Sequence, residues 1–201
     1  MNICIFGDSI VWGGYDPVNG GWANRLRNYL EGKYDEEGKY SEVSTYNLGI
    51  CADDSTGLLK RFRVEAIPRK PDVIILAIGI NDIRHQPDQP ILFDKFENNI
   101  RDLVSQAIEF TNKIVILGIT PVDEKLMTPR NVPPYNFREN KDIIKCNEIL
   151  KVVAEKQKII FIPIPRDFSV EDLSDGLHPN TKGHLKIFEA VKPVLEKFLK
   201  N

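Results

Sequence analysis

Asn2-Ile3-Cys4-Ile5-Phe6-Gly7-Asp8-Ser9 decides the fold. Ile3 to Phe6 is apolar and β-prone, and it breaks at Gly7, the pattern of a buried strand running into a turn. Ser9 stands at the mouth of that break. In an open α/β sheet, ligands gather beyond the carboxyl ends of the strands. Ser9 is therefore placed where chemistry is expected, outside the core.

Four further runs extend the pattern: Val43–Leu48, Val73–Ile78, Ile114–Ile119 and Ile159–Ile162. Helix-like stretches separate the runs, which predicts βαβ units and a parallel sheet. The central runs show no polar alternation, as expected for strands covered on both faces. Right-handed crossovers then give a three-layer α/β/α domain. Phe96, Ile100, Leu103, Val104, Ala107 and Ile108 recur at helical spacing, as do Ile143, Cys146, Leu150, Val153 and Ala154. A last helix starts near Thr181, with Phe188, Val191, Leu195 and Phe198 inward and a kink or split expected at Pro193. Asp53 or Asp54 is positioned to cap the helix after the second strand.

The 201 residues suffice for one domain with a real core, and no repeat, low-complexity tract or linker divides them. Residues 1–201 are read as a single domain. A composition of 42% hydrophobic and 28% charged residues is that of an ordinary soluble protein. A net charge of −2 gives no electrostatic case for nucleic acid or an anionic membrane. No apolar run has the length of a membrane span. With the first strand beginning at residue 2, no signal peptide is expected. Three cysteines, Cys4, Cys51 and Cys146, suit a reducing, cytoplasmic setting better than a disulfide framework, and they lack zinc-site spacing. Two loops stand out. Residues 121–135 carry four prolines and suit a lid or binding loop, and Tyr15–Trp22, with Gly20-Gly21, lies beside Ser9.

Because the strands are parallel, the segments after them emerge at one edge. These are Ser9, then Asn47-Leu48-Gly49-Ile50, then Gly79-Ile80-Asn81-Asp82, then Asp175-Gly176-Leu177-His178-Pro179. Ester hydrolysis needs a nucleophile, a base, a group that orients the base, and donors for the oxyanion. A serine hydroxyl is a weak nucleophile without a base. His178 can take its proton and return it to the leaving alcohol. Asp175, three residues away, can fix the imidazole tautomer. Gly49 offers a backbone N–H and Asn81 a side-chain amide for the oxyanion. Trp12, Tyr15, Trp22, His85 and Tyr135 are candidate substrate contacts. Asp8 is expected to hold the loop, Cys51 to be a small buried side chain, and His184 to pack or face solvent.

These four blocks, in this order over nearly the whole chain, resemble those of the SGNH (GDSL-type) hydrolases. The first reads Gly-Asp-Ser-Ile, with Ile10 in place of the name-giving leucine, a volume-conserving change. The resemblance implies a flavodoxin-like fold with five parallel strands. It places the nucleophile on Ser9, the Asp-x-x-His pair on Asp175 and His178, and the oxyanion hole on the Ser9 N–H, the Gly49 N–H and the Asn81 side chain. No metal and no organic cofactor is implied. The substrate expected is a small ester with a short, acetyl-type acyl group. A lysophospholipase or thioesterase of the same family is the nearest alternative. A metal-dependent phosphohydrolase, with Asp8, Asp53, Asp54, Asp82 and Asp175 around Mg²⁺, is the alternative from another class. A binding module with a decayed site would lack at least one of the four positions, and all are present.

Overall fold

The computed structural model describes residues 1–31, 42–127 and 137–199. Five strands form one parallel sheet: β1 (Asn2–Gly7), β2 (Ser44–Gly49), β3 (Val73–Ala77), β4 (Ile114–Leu117) and β5 (Ile160–Ile162). Their spatial order is β2-β1-β3-β4-β5. Each expected run is a strand, with ends shifted by one or two residues. Ile78 and Ile119, read as strand, lie beyond the strand ends.

Alternation within each strand divides the core. Cys4, Phe6, Ile74, Leu76, Ile114 and Ile116 point to one face. Three helices cover it: α3 (Ser55–Arg69), α4 (Phe93–Ile108) and α5 (Asn140–Gln157). Ile3, Ile5, Val73, Ile75, Val115 and Leu117 point to the other, under α2 (Gly21–Leu30) and α6 (Thr181–Leu199). This is the expected three-layer α/β/α arrangement. A short helix, α1 (Ser9–Trp12), follows β1 directly.

The apolar helix faces read from the sequence are largely those buried. Ile143, Cys146, Leu150, Val153 and Ala154 of α5 are all in the core. On α4, Ile108 is exposed, because it closes the last turn where the face rotates off the sheet. On α6, Val191 and Leu195 are buried, Phe188 and Phe198 only partly, and Ile187 is fully buried. Of the kink or split expected at Pro193, the split does not occur: the helix runs unbroken from Thr181 to Leu199. Pro193 sits on the exposed side, while Val191 and Leu195 on either side of it hold the apolar face against the sheet.

Asp54 is the cap of α3: its side chain accepts from the Gly57 N–H at 2.8 Å. Asp53 instead pairs with Arg61 at 2.8 Å. The register aligns Gly7 with Gly49 and with Ala77, so the loops after β1, β2 and β3 leave the sheet side by side. The strand order reverses direction between β1 and β3, the switch point where α/β sheets open a crevice. Ser9 lies at that point. Asp54→Ala should lower unfolding free energy by about 1 kcal/mol, the usual cost of losing an N-cap, as read by urea denaturation.

Candidate active site

Asp8 shapes the turn that presents Ser9. Its carboxylate accepts from the Ile10 N–H at 2.9 Å and caps α1. The helix stops after one turn at Gly13, whose φ of 99° puts it in the left-handed region and whose N–H reaches the Ser9 carbonyl at 3.1 Å. A side chain there would strike the Gly20 carbonyl oxygen at 2.0 Å, so the loop can fold back on itself only through glycine. As expected, Asp8 holds the loop. It is buried, and burial raises its carboxyl from 3.8 to about 7 despite the Ile10 N–H and the Arg138 charge.

The base arrives from the far end of the chain. A tight turn at Asp175–His178 is closed by a Leu173–Pro179 bridge and by the Ser174 N–H donating to the His178 carbonyl at 2.8 Å. Asp175 Oδ1 accepts from the backbone N–H groups of Leu177 (3.0 Å) and His178 (2.7 Å). Its Oδ2 lies 2.8 Å from His178 Nδ1. Partial burial works against the ionised form, but the His178 backbone and ring and the Leu177 N–H outweigh it and hold Asp175 below the ordinary carboxylate range. An ionised carboxylate only accepts, so Nδ1 carries the proton and Nε2 is left with its lone pair. Ser9 Oγ lies 2.9 Å from that Nε2. The three groups form the arrangement that makes a serine nucleophilic.

Tyr15 stacks on the His178 ring, with centroids 4.8 Å apart and planes 23° from parallel. The Asp175 charge and a hydrogen bond to it raise the Tyr15 hydroxyl above its ordinary value. Below this loop, His184 is neither at the surface nor merely packed. It is fully buried and bridges backbone groups, accepting from the Trp22 N–H at Nδ1 (3.3 Å) and donating from Nε2 to the Gly14 carbonyl (3.0 Å). Both bonds suit a neutral imidazole, and burial lowers its affinity for a second proton.

A cavity of about 340 Å³ opens over Ser9 and is lined by Trp12, Tyr15, Cys51, Ala52, Asn81, Arg84, Arg138, Leu177 and His178, among others. Asn81 is there as expected. Its Nδ2 donates to the Asp53 carbonyl at 2.8 Å, which leaves the second N–H of the amide for a ligand. Its Oδ1 accepts from Arg138 Nη2 at 2.6 Å and Arg84 Nη2 at 3.3 Å.

Gly49 does not fit the donor role expected of it. Its N–H is committed to Asn47 Oδ1 at 3.1 Å, and it is not part of the cavity lining. It is glycine because a Cβ there would meet the Trp12 nitrogen at 2.3 Å and the Asp8 carbonyl oxygen at 2.7 Å. Three residues on, Ala52 lines the cavity at the corner of a turn closed by the Asp53 N–H on the Ile50 carbonyl (3.2 Å). Ala52 has φ 64°, a conformation that costs alanine about 1 kcal/mol or more. Among the described residues its N–H has no hydrogen-bond partner. Ala52 was therefore missed from the sequence, as were Arg84 and Arg138. The signal for Ala52 was indirect: the loop between the end of β2 and the Asp54 cap is so short that its middle must face Ser9.

Three further expectations are corrected. Trp22 is fully buried in the core, packed from α2 with Leu26 and Leu30, and contacts no ligand space over Ser9. His85 lies off the cavity. Its Nε2 sits 2.8 Å from Asp142 and 3.4 Å from Glu139, and its N–H donates to the Phe137 carbonyl, tying residues 84–86 to the start of α5. Cys51 is exposed in the cavity wall, because the turn that raises Ala52 lifts it off the core. Trp12 and Tyr15 line the solvent-facing side of the cavity. Tyr135, and the loop from 128 onward, lie outside the described residues.

The carboxylates proposed for Mg²⁺ are otherwise engaged. Asp8 and Asp54 cap helices, Asp53 pairs with Arg61, Asp175 holds His178, and Asp82 accepts from the Ser55 N–H and hydroxyl. Among the described residues, the group with metal-ligand geometry is His85, Glu139 and Asp142, which shares no member with that set. Nor is any described helix long and apolar enough to cross a membrane.

Comparisons with known proteins agree with this fold. The model of the GDSL-like Lipase/Acylhydrolase family matches residues 5–186. An acetylxylan esterase of Geobacillus stearothermophilus is 23% identical over 193 residues, covering 89% of this chain and 82% of its own length. An isoamyl acetate-hydrolyzing esterase of Saccharomyces cerevisiae is 25% identical, covering 77% and 71%. Among solved structures, the Geobacillus acetylxylan esterase superposes with a TM-score of 0.72 at 21% identity over 96% of this chain and 93% of its own. An α/β hydrolase from the metagenome of Lake Arreo gives 0.75 at 19% identity, over 97% and 94%. The matched structures include catalytic mutants of the Geobacillus enzyme at a serine, a histidine and an aspartate.

Two outcomes follow from the local energetics. Ala52→Gly should raise unfolding free energy by about 1 kcal/mol by removing the left-handed penalty, measured by thermal or urea unfolding. For Asp8 the folded value of about 7 exceeds the unfolded value of 3.8. Between those limits the unfolded chain loses the proton and the folded one keeps it, so stability from this group falls as pH rises. Asp8→Asn should therefore gain stability relative to the parent between about pH 4 and about pH 7. Urea midpoints at the two ends of that window check this, and a pH-independent difference would refute it.

Proposed function

The chain belongs to the GDSL-like lipase/acylhydrolase family, and from that premise we propose that it is a serine esterase cleaving short-chain, acetyl-type esters through an acyl-enzyme on Ser9. The observation that carries this reading is the continuous chain of contacts from Ser9 Oγ to His178 Nε2 (2.9 Å) and from His178 Nδ1 to Asp175 Oδ2 (2.8 Å). The relatives named for acetylxylan and isoamyl acetate support the acetyl preference.

The reaction then runs as follows. His178 Nε2 takes the Ser9 hydroxyl proton as Oγ bonds to the acyl carbon, and the carbonyl electron pair moves onto its oxygen. Asp175 stabilises the imidazolium. The oxyanion is met by the Ser9 N–H, the Ala52 N–H and Asn81 Nδ2, with Ala52 replacing the donor first sought at Gly49. Collapse expels the alcohol oxygen, which takes the proton back from Nε2. Water enters, gives a proton to Nε2 and attacks the acyl carbon; collapse breaks the bond to Ser9 Oγ, which takes that proton back from Nε2 as the acid leaves. No metal or organic cofactor enters any step. Tyr15 and Trp12, on the exposed side of the cavity and beside His178, are the residues proposed to meet the alcohol. Residues 1–201 act as one catalytic domain in this reading.

A fluorophosphonate should label Ser9 covalently, located by peptide mass spectrometry. Ser9→Ala should abolish labelling and turnover with the melting temperature nearly unchanged. Asn81→Ala should lower kcat on p-nitrophenyl acetate by about 10²–10³, the usual effect of losing an oxyanion donor. A p-nitrophenyl ester series should show kcat/KM falling as the acyl chain lengthens beyond a few carbons, and acetylated sugars run beside it test the alcohol. Turnover retained by Ser9→Ala, or lost to EDTA, would overturn the reading.

A further inference from the structure

Asn81 is the one oxyanion donor that can turn away from its task. Backbone N–H groups are fixed by the fold, but a side-chain amide can rotate and exchange its nitrogen for its oxygen. In that orientation a carbonyl oxygen would face the developing negative charge and repel it. Some group must hold the amide the right way round.

We infer that Arg138 is the positioning residue that fixes the Asn81 amide for oxyanion binding. This rests on the esterase reading above. The Arg138 side chain is 1% exposed and forms part of the wall of the catalytic cavity. Its Nε donates to the Ile80 carbonyl at 2.8 Å and its Nη2 to Asn81 Oδ1 at 2.6 Å. One guanidinium fork thus grips the backbone of one residue and the side chain of the next. A guanidinium carries donors and no acceptor, so only the amide oxygen can face it. The NH₂ group is thereby directed to the Asp53 carbonyl and to the cavity over Ser9. Arg84 adds a longer contact to the same oxygen, at 3.3 Å.

The charge has a second effect. A cationic donor on the amide oxygen draws electron density from the nitrogen and makes its N–H groups stronger donors. Burial lowers the Arg138 guanidinium to about 10, so it stays charged at neutral pH. A buried cation is costly to hold, and a neutral side chain would serve a purely structural link between residues 80 and 138 at less cost. Residues 137–142 are also moored independently, by the His85 N–H on the Phe137 carbonyl and by His85 on Asp142.

The test is a double-mutant cycle on kcat and KM for p-nitrophenyl acetate, with parent, Arg138→Lys, Asn81→Ala and the double variant. A lysine ammonium cannot span both acceptors in the fork geometry. Arg138→Lys should lower kcat by about 10–10²-fold, part of the worth of an oxyanion donor, while KM changes by less than about threefold. With Asn81→Ala already present, the same substitution should change kcat by less than about threefold, because the group it acts through is gone. Arg138→Gln, neutral but still a donor, repeats the comparison where the lysine variant does not fold. An equal loss of kcat in both backgrounds, or no loss in either, would overturn the inference. Parent turnover and Ser9 labelling report on the esterase reading itself. Their absence would remove both, whereas additivity in the cycle would remove only the role of Arg138.

Discussion

A hydrogen bond of 2.9 Å joins Ser9 to His178 across 169 residues of chain, and the sheet exists in a form that permits it. β1 lies inside the sheet, paired with β2 along one side and β3 along the other. All strands are parallel, so each delivers its following loop to the same side. The switch in strand order at β1 and β3 opens a crevice there, and the first residues beyond β1 fall into it. Were β1 an edge strand, Ser9 would have neighbours on one side only, and the loops bearing Ala52 and Asn81 could not flank it together.

The polar groups behind the site give this placement its precision. Asp8 caps the turn under Ser9, and Asn47 occupies the Gly49 N–H. His184 joins the backbone of the Gly14 turn to the start of α2, while buried Asp16 accepts from Thr181 at 2.9 Å and pairs with Arg25. The loop that carries Tyr15 is thus fastened to α6, the helix that follows the His178 turn. Nucleophile and base are therefore held by one connected network. Such networks stabilise modestly in sum but define a single geometry, which is what a reaction at a fixed distance demands.

Much of this was legible in the residues. Apolar runs closed by glycine marked the strands, and parallel order alone brought Ser9, Asn81, Asp175 and His178 to one rim. What could not be read was which member of a short loop points inward. Gly49 looks like a donor because it is glycine, yet it is glycine to let the backbone of Trp12 approach. Ala52 looks unremarkable because its left-handed conformation leaves no mark on an alanine. Trp22 was readable after all: Trp22, Leu26 and Leu30 recur every four residues, a buried helical stripe, though the glycines before it suggested a loop. His85 and Arg138 answer to partners more than fifty residues away, Asp142 for the first and Asn81 for the second, and no local pattern announces such pairs.

The placement of β1 between two later strands also bears on how the protein is made. β1 has no partner on either edge until β2 and β3 have left the ribosome, and its most distant catalytic neighbour is His178. Chain growth exposes this hydrophobic ribbon before its neighbours exist and completes the reactive serine only after His178 has emerged. Ser9 therefore stays chemically inert until a turn 169 residues further along the chain has docked beside it.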